Sequence, residues 1–190
     1  MLEGKKVKAE YDGKVVRVFS EEDFEGLTSR GYGVLEDKKL NLQFHEALYL
    51  LDKDIMEITE KDRETPLTFE QLLIYSRRKN PNAWMEYLIY RDLRGRGYVV
   101  REGFGLGINF RVYERGEYGK GTARYLIFGI QEGQPVTVEE LARTLKYAQS
   151  LKKKLVLAVV SRRGEIVHYS LSRLTLESKG EGGLDEVSDA

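Results

Sequence analysis

The sequence predicts two consecutive domains. A small α+β N-terminal domain is expected over residues 1–66. An α/β C-terminal domain with a mixed central sheet flanked by helices is expected over 67–175, and an acidic tail, predicted to be disordered, over 176–190. Three observations carry this. The order of periodic segments is strand, strand, helix, helix and strand, then a restart with helices followed by three strands, a helix and two strands. The charged run Glu60 to Thr65, closed by Pro66, separates the two sets. The charge divides at the same place: residues 1–65 hold 11 basic and 16 acidic side chains, 66–175 hold 19 and 10, and 176–190 hold 1 and 5, so a net charge of zero conceals a basic central segment.

Each element has a local cause. Val7 to Tyr11 and Lys14 to Phe19 alternate around Asp12-Gly13, the dipeptide a two-residue hairpin turn prefers. Ser20, followed by Glu21, Glu22 and Asp23, reads as a helix N-cap with acids in the first turn, and Gly31-Tyr32-Gly33 ends that helix. Phe44, Ala47, Leu48 and Leu51 recur at helical spacing between Gln43 and Asp52, and Ile55 to Ile58 is a short strand. A helix starts at Thr68 and runs to Lys79, Asn80-Pro81-Asn82 breaks it, and a second runs from Asn82 to Gly95. Strands are expected over 97–102, 108–114 and 123–130. Thr137 and Glu140 frame a capped helix reaching Leu151, Leu155 to Val160 is an apolar buried strand, and Glu165 to Leu174 alternates as an outer one.

Composition narrows the chemistry. The 190 residues are 41% hydrophobic, contain no cysteine and have two histidines, His45 and His168. Disulfides and thiolate metal sites are excluded, and a histidine metal cluster is disfavoured. No apolar run is long enough to cross a bilayer, and the N-terminus lacks the apolar core of a secretory signal, so a cytoplasmic protein is expected. Charged residues at 33%, with few Asn and Gln, resemble the composition of thermophile proteins.

Gly103-Phe104-Gly105-Leu106-Gly107 is glycine-rich, but a strand follows it where a phosphate loop needs a helix N-terminus, so it reads as a turn. A metal-dependent nuclease needs acids on the sheet, and the strands offer Asn109 at 108–113 and no carboxylate over 155–160. Metal-free RNA cleavage needs a base for the ribose 2′-hydroxyl, an acid for the 5′-leaving oxygen and a cation for the transition-state charge. Tyr113 and the run Lys152-Lys153-Lys154 are candidates, although strand tyrosines commonly pack and lysines at a helix C-terminus are favoured by its dipole.

The strings Tyr90 to Val100 (YRDLRGRGYVV), Asn109 to Gly116 (NFRVYERG), Ala123 to Ile127 (ARYLI), Ala148 to Val160 (AQSLKKKLVLAVV) and Gly164 to Tyr169 (GEIVHY), in this order and spacing, resemble the archaeal tRNA-splicing (tRNA-intron) endonucleases. His45 to Leu50 and Leu67 to Glu70 extend the likeness, which covers roughly residues 5–173. The resemblance implies an α+β domain joined to a nuclease-like α/β domain. It implies cleavage of precursor tRNA at bulge-helix-bulge sites, without metal or cofactor, to 2′,3′-cyclic phosphate and 5′-hydroxyl ends. The family's catalytic set is Tyr, His and Lys. Through the VYERG string its tyrosine falls on Tyr113, and its lysine falls best on Lys153, with Lys152 and Lys154 within one residue.

The family histidine, three residues before the Tyr-Leu of the next strand, falls on Thr122, and the family's strand aspartate before Phe falls on Asn109. Some members of the family are heterotetramers of catalytic and structural subunits, and the expectation drawn from these departures is a structural, RNA-positioning chain paired with a catalytic paralogue. The alternatives are a self-sufficient metal-independent endonuclease with an altered site, or an RNA-binding module that does not cut. The resemblance further implies pairing through the last strand, about 165–173, and insertion of the loop Ser161 to Glu165 into another chain. That loop is acidic in the family and basic here through Arg162 and Arg163, which are also candidates to face RNA. Lys146 lies where the family presents a cation to a bulged base.

Overall fold

The structure, a computed structural model, describes residues 6–61, 63 and 65–173. The acidic tail expected over 176–190 lies outside the described residues.

The first sheet is built on β1 (Val7–Tyr11), whose alternate residues Val7, Ala9 and Tyr11 are buried. It pairs antiparallel with β2 (Val16–Val18) and parallel with β5 (Met56–Glu60). The connection from β1 to β2 is longer than the expected two-residue turn. Tyr11 pairs with Val16, leaving a four-residue loop. Asp12 decides this: its carboxylate accepts the backbone N–H groups of Lys14 at 2.8 Å and Val15 at 3.0 Å, a local side-chain closure that outcompetes the tight turn.

Residues 34–42, for which the sequence predicts no element, form a second hairpin of β3 (Val34–Glu36) and β4 (Lys39–Leu42). Its turn residues Asp37 and Lys38 have φ of 48° and 58°, two successive left-handed positions as in a type I′ turn, made here without the Asn-Gly or Asp-Gly that signals one. The sheet order is β3-β4-β2-β1-β5.

Helix α1 (Glu21–Thr28) starts as expected, with Ser20 accepting the N–H of Asp23. Helix α2 (Phe44–Asp52) is closed by a capping box between Gln43 and Glu46. Helix α3 (Phe69–Lys79) is capped by Thr68 and packs on α2 and on α4 (Ala83–Gly95).

The second sheet has the order β10-β9-β8-β7-β6, with β6 (Val99–Glu102), β7 (Ile108–Tyr113), β8 (Tyr125–Gln131), β9 (Lys154–Val160) and β10 (Ile166–Leu171). Only the β8–β9 pair is parallel, because α5 (Val138–Ser150) is the crossover between them. Helix α4 packs on one face and α5 on the other. The mixed sheet between helices is the predicted architecture. Strand β9 is buried less completely than its apolar run suggests, since Val156, Leu157 and Val159 are only partly covered.

A bulge in β7 between Ile108 and Phe110 has a consequence for the site. Ile108 packs in the cluster on the α5 side, while Phe110 and Val112 belong to the α4-side core. Past the bulge, Arg111 and Tyr113 therefore alternate onto the α5 side.

One core runs through both domains. The His45 ring of α2 lies 4.7 Å from Tyr90 of α4 and 4.9 Å from Phe110 of β7. Next to it, Glu46 accepts the N–H of Gly33 and faces the Arg101 guanidinium at 3.4 Å, and Arg101 also donates to the Gly31 carbonyl at 2.9 Å.

Candidate active site

The backbone ladder brings three of the sequence-predicted positions to one end of the second sheet. Tyr113 is the last residue of β7. The N–H of Arg124 donates to the Val112 carbonyl at 2.9 Å, and the N–H of Lys154 donates to the Arg124 carbonyl at 3.0 Å. The end of β7, the segment 122–124 and the start of β9 thus lie side by side.

The helix cap of α5 turns the three lysines in different directions. Lys152 donates to the Gln149 carbonyl and Lys153 to the Ala148 carbonyl, both at 2.9 Å, with Lys152 left-handed at φ 55°. These are the two bonds of a Schellman motif, with lysine where glycine is usual. Lys152 and Lys154 are exposed. Lys153, half-buried, turns inward and its Nζ donates to the Ala123 carbonyl at 2.5 Å. Among the three lysines it is the one whose ammonium reaches the segment carrying Thr122.

Tyr113 is half-buried, with the Tyr118 ring edge-on to it at 5.1 Å and 90°. Gly31 in the first domain makes this fit possible: at its φ of 77° a Cβ would meet Val99 at 2.4 Å and the Tyr118 ring at 3.3 Å. Glu114, the next residue, accepts from Arg124 at 2.7 and 2.8 Å and from the Tyr125 hydroxyl at 3.0 Å, fixing β7 to β8 beside the site. The Arg124 guanidinium holds the Glu114 carboxyl below its ordinary range.

Thr122 is exposed in the loop ahead of β8, so the position is open to solvent and to substrate. Neither histidine attends it. His45 lies in the interdomain core, where burial and then the charge of Arg101 push its imidazole down to about 3 and keep it neutral. His168 sits in β10 with Nε2 3.8 Å from Asp92 of α4, on the opposite face of the sheet, and burial lowers it also. The site therefore offers a phenol and an ammonium without an imidazole between them.

Asn109 is not part of this site. It lies on the α4 side, donating to Glu86 at 3.1 Å and accepting the Gly129 N–H at 2.8 Å, four residues back along β7. Burial already pushes the Glu86 carboxyl up, and the aspartate that the resemblance leads one to expect at 109 would set a second carboxylate against it.

The Gly103–Gly107 segment is the predicted strand-to-strand turn, closed by the Gly103 N–H on the Asn109 carbonyl at 2.8 Å. Lys146 is exposed on α5, two turns before Lys153. Arg162 and Arg163 lie beyond the far end of β9, about 23 Å from Lys153 along the strand, so one chain does not bring them to the Tyr113 site. Period-two alternation back from Tyr113 reaches Arg111, which the motif reading leaves out. Among the described residues no group of three His, Asp or Glu side chains is placed to hold a metal ion, and no helix is long and apolar enough to cross a membrane.

The described residues thus form two domains, each with its own sheet, with Tyr113 at one end of the second and Lys153 beside it. Comparison with known families gives the class of protein. The tRNA intron endonuclease catalytic C-terminal domain matches residues 83–169, and the N-terminal domain of the same family matches residues 7–73. The chain is 31% identical over 172 residues to the tRNA-splicing endonuclease of Methanococcus maripaludis, covering 90% of this chain and 97% of that protein. It is 33% identical over 143 residues to the tRNA-splicing endonuclease of Pyrococcus furiosus, covering 75% and 81%. To the tRNA-splicing endonuclease of Methanococcoides burtonii it is 34% identical over 151 residues, 79% of this chain and 41% of that longer one. The chain belongs to the tRNA intron endonuclease family.

Proposed function

We propose that this chain is the structural subunit of a heterotetrameric tRNA-splicing endonuclease, holding precursor tRNA while a paralogous subunit supplies a complete catalytic set. The observation that carries this is Thr122. By the motif resemblance it falls on the family histidine position, while Tyr113 and Lys153 fall on the family tyrosine and lysine. In the proposed chemistry a tyrosine takes the ribose 2′-proton, a histidine protonates the 5′-leaving oxygen and a lysine balances the charge of the pentacovalent phosphate. The products are a 2′,3′-cyclic phosphate and a 5′-hydroxyl, and no metal takes part. A threonine hydroxyl does not ionise usefully near neutral pH, and losing one acid–base group forfeits on the order of 10²–10⁴ in rate.

Assembly has two candidate surfaces. Strand β10 is an edge, with Val167 49% and Tyr169 53% exposed beside the partly covered Leu157 and Val159, which suits pairing with another chain. The second is electrostatic. A cleft of about 420 Å³ between the domains is lined by Glu86 and Glu102, together with His45, Asn80 and Asn109, and by no lysine or arginine. The turn after β9 carries Arg162 and Arg163. The resembling family joins an acidic loop to a basic cleft, and both signs are inverted here. In this reading the arginine turn of one chain enters the acidic cleft of another of the same polarity.

The test is cleavage of a bulge-helix-bulge RNA by the chain alone and with its catalytic paralogue, with and without chelator. Cleavage is expected only with the paralogue and is expected to survive chelation. Cleavage by the chain alone would instead favour a self-sufficient enzyme, a reading supported by its near end-to-end match to the M. maripaludis protein.

A further inference from the structure

On the sheet face that carries Tyr113 lies Arg111, whose Nε is buried without a hydrogen-bond partner among the described residues. Arg111 lies two residues before Tyr113 on β7, past the bulge, so both side chains leave the same face about 6.8 Å apart along the strand. Its Nε is buried, and the guanidinium makes no hydrogen bond or ion pair among the described residues. It lines a cleft of about 200 Å³ between the domains, with Val34 and Gln43 on one side and Gly103 and Phe104 on the other. The Arg111 Cζ lies over the Phe104 ring, 5.9 Å from its centroid, a cation–π contact that uses none of its N–H donors.

The other charges in the cleft are already engaged. Arg101, directly across the β6–β7 pair from Arg111, donates to the Gly31 carbonyl and faces Glu46. Glu46 accepts the backbone N–H groups of Gly33 and Gln43, and Glu102 accepts from the Gln43 side chain at 3.0 Å. Two carboxylates thus border the cleft and Arg111 pairs with neither. A partly buried guanidinium left without an acceptor is costly unless an acceptor arrives from outside. Its planar fork suits a phosphate oxygen pair.

We infer that Arg111 holds a backbone phosphate of the bound RNA one nucleotide away from the phosphate lying at Tyr113. This rests on the RNA-binding role proposed above and adds a site to it. The strand geometry supplies the register: Tyr113 and Arg111 are rigid neighbours on one strand, so an RNA strand following β7 meets the phenol and then the guanidinium.

The experiment measures binding of bulge-helix-bulge RNA by the full chain over a series of salt concentrations, for wild type, Arg111→Met and Arg111→Lys, with the melting temperature of each. Methionine keeps the apolar stem and removes the charge. The expected result for Arg111→Met is at least about ten-fold weaker binding and a slope of log K against log salt shallower by about 0.7–0.9, the share of one phosphate contact, with the melting temperature unchanged or higher. Arg111→Lys should keep the slope and recover part of the affinity. An unchanged slope in Arg111→Met while wild type binds RNA would overturn the phosphate site and leave the RNA-binding role standing. A fall in melting temperature with an unchanged slope would assign Arg111 to packing and overturn it as well. Absence of RNA binding by wild type would overturn both.

Discussion

Thr122 and His45 show how differently one side chain can matter in two places. Thr122 is exposed at the mouth of the site, so a larger side chain there meets solvent and not the core. Replacing it, as Thr122→His, returns an imidazole to the loop beside Lys153 and Tyr113. If the remainder of the site is competent, cleavage of bulge-helix-bulge RNA by the chain alone should rise by on the order of 10² or more, and adding Tyr113→Phe should abolish the gain. An inactive Thr122→His chain that still binds RNA would mean that the site has drifted beyond that one position. His45 is the opposite case. Its folded pKa of about 3 lies below the ordinary 6.5, so between these values the unfolded chain binds a proton that the folded chain does not. Its contribution to stability is complete above about pH 6.5 and is lost as pH falls toward 3. Urea titrations at pH 7 and pH 4.5 should show a smaller loss on acidification for His45→Gln than for wild type. Equal losses would show that the imidazole is not held neutral by the fold.

At the scale of the element, the end of α5 gives three consecutive lysines three different settings. The sequence offers three consecutive lysines without distinguishing them by spacing alone. The Schellman cap separates them by conformation: the left-handed position, the inward-turning one and the first residue of β9. Lys152 holds φ 55° at a cost glycine avoids, so Lys152→Gly should stabilise the chain by about 1 kcal/mol, read as a higher melting temperature, with RNA binding nearly unchanged. A fall in melting temperature would mean that Lys152 makes a compensating contact. The β3–β4 hairpin teaches a related lesson. A type I′ turn on Asp37-Lys38 is invisible to turn statistics, because the flanking strands impose it. The Asp12 loop errs the other way, since an Asp-Gly signal was overruled by the aspartate's own hydrogen bonds.

Over the whole molecule, charge is arranged by surface more than by domain. The basic excess lies in the second domain, yet Glu86 and Glu102 of that domain line the acidic cleft, and Arg162 and Arg163 are held at the opposite end of β9 from Lys153. If arginine turn and acidic cleft meet between chains, Arg162→Glu with Arg163→Glu should shift sedimentation or light scattering toward smaller species. Combining those changes with Glu86→Lys and Glu102→Lys should recover part of the assembly. Unchanged assembly size in the first variant would remove this contact and return the two arginines to the RNA-facing role. The two exposed apolar residues of β10 belong to the same scale, since their meaning depends on what covers them.

The sequence by itself determined the two-domain division, the helix caps at Ser20, Thr68 and Thr137, the family, and the order of the elements apart from the β3–β4 hairpin, because these rest on local periodicity, local hydrogen bonding and strings of neighbouring residues. It also named Tyr113, Thr122 and the run Lys152–Lys154 as candidates, through motifs that lie next to the strands they belong to. Only the tertiary structure decided which residues share a face. The β7 bulge reverses the alternation, so that Asn109, four residues before Tyr113, points to the α4 side while Arg111 and Tyr113 share the other face. The interdomain core takes His45 out of chemistry and keeps it neutral. Each of these is a long-range outcome of strand pairing and burial, and a pattern read along the chain contains no term for it.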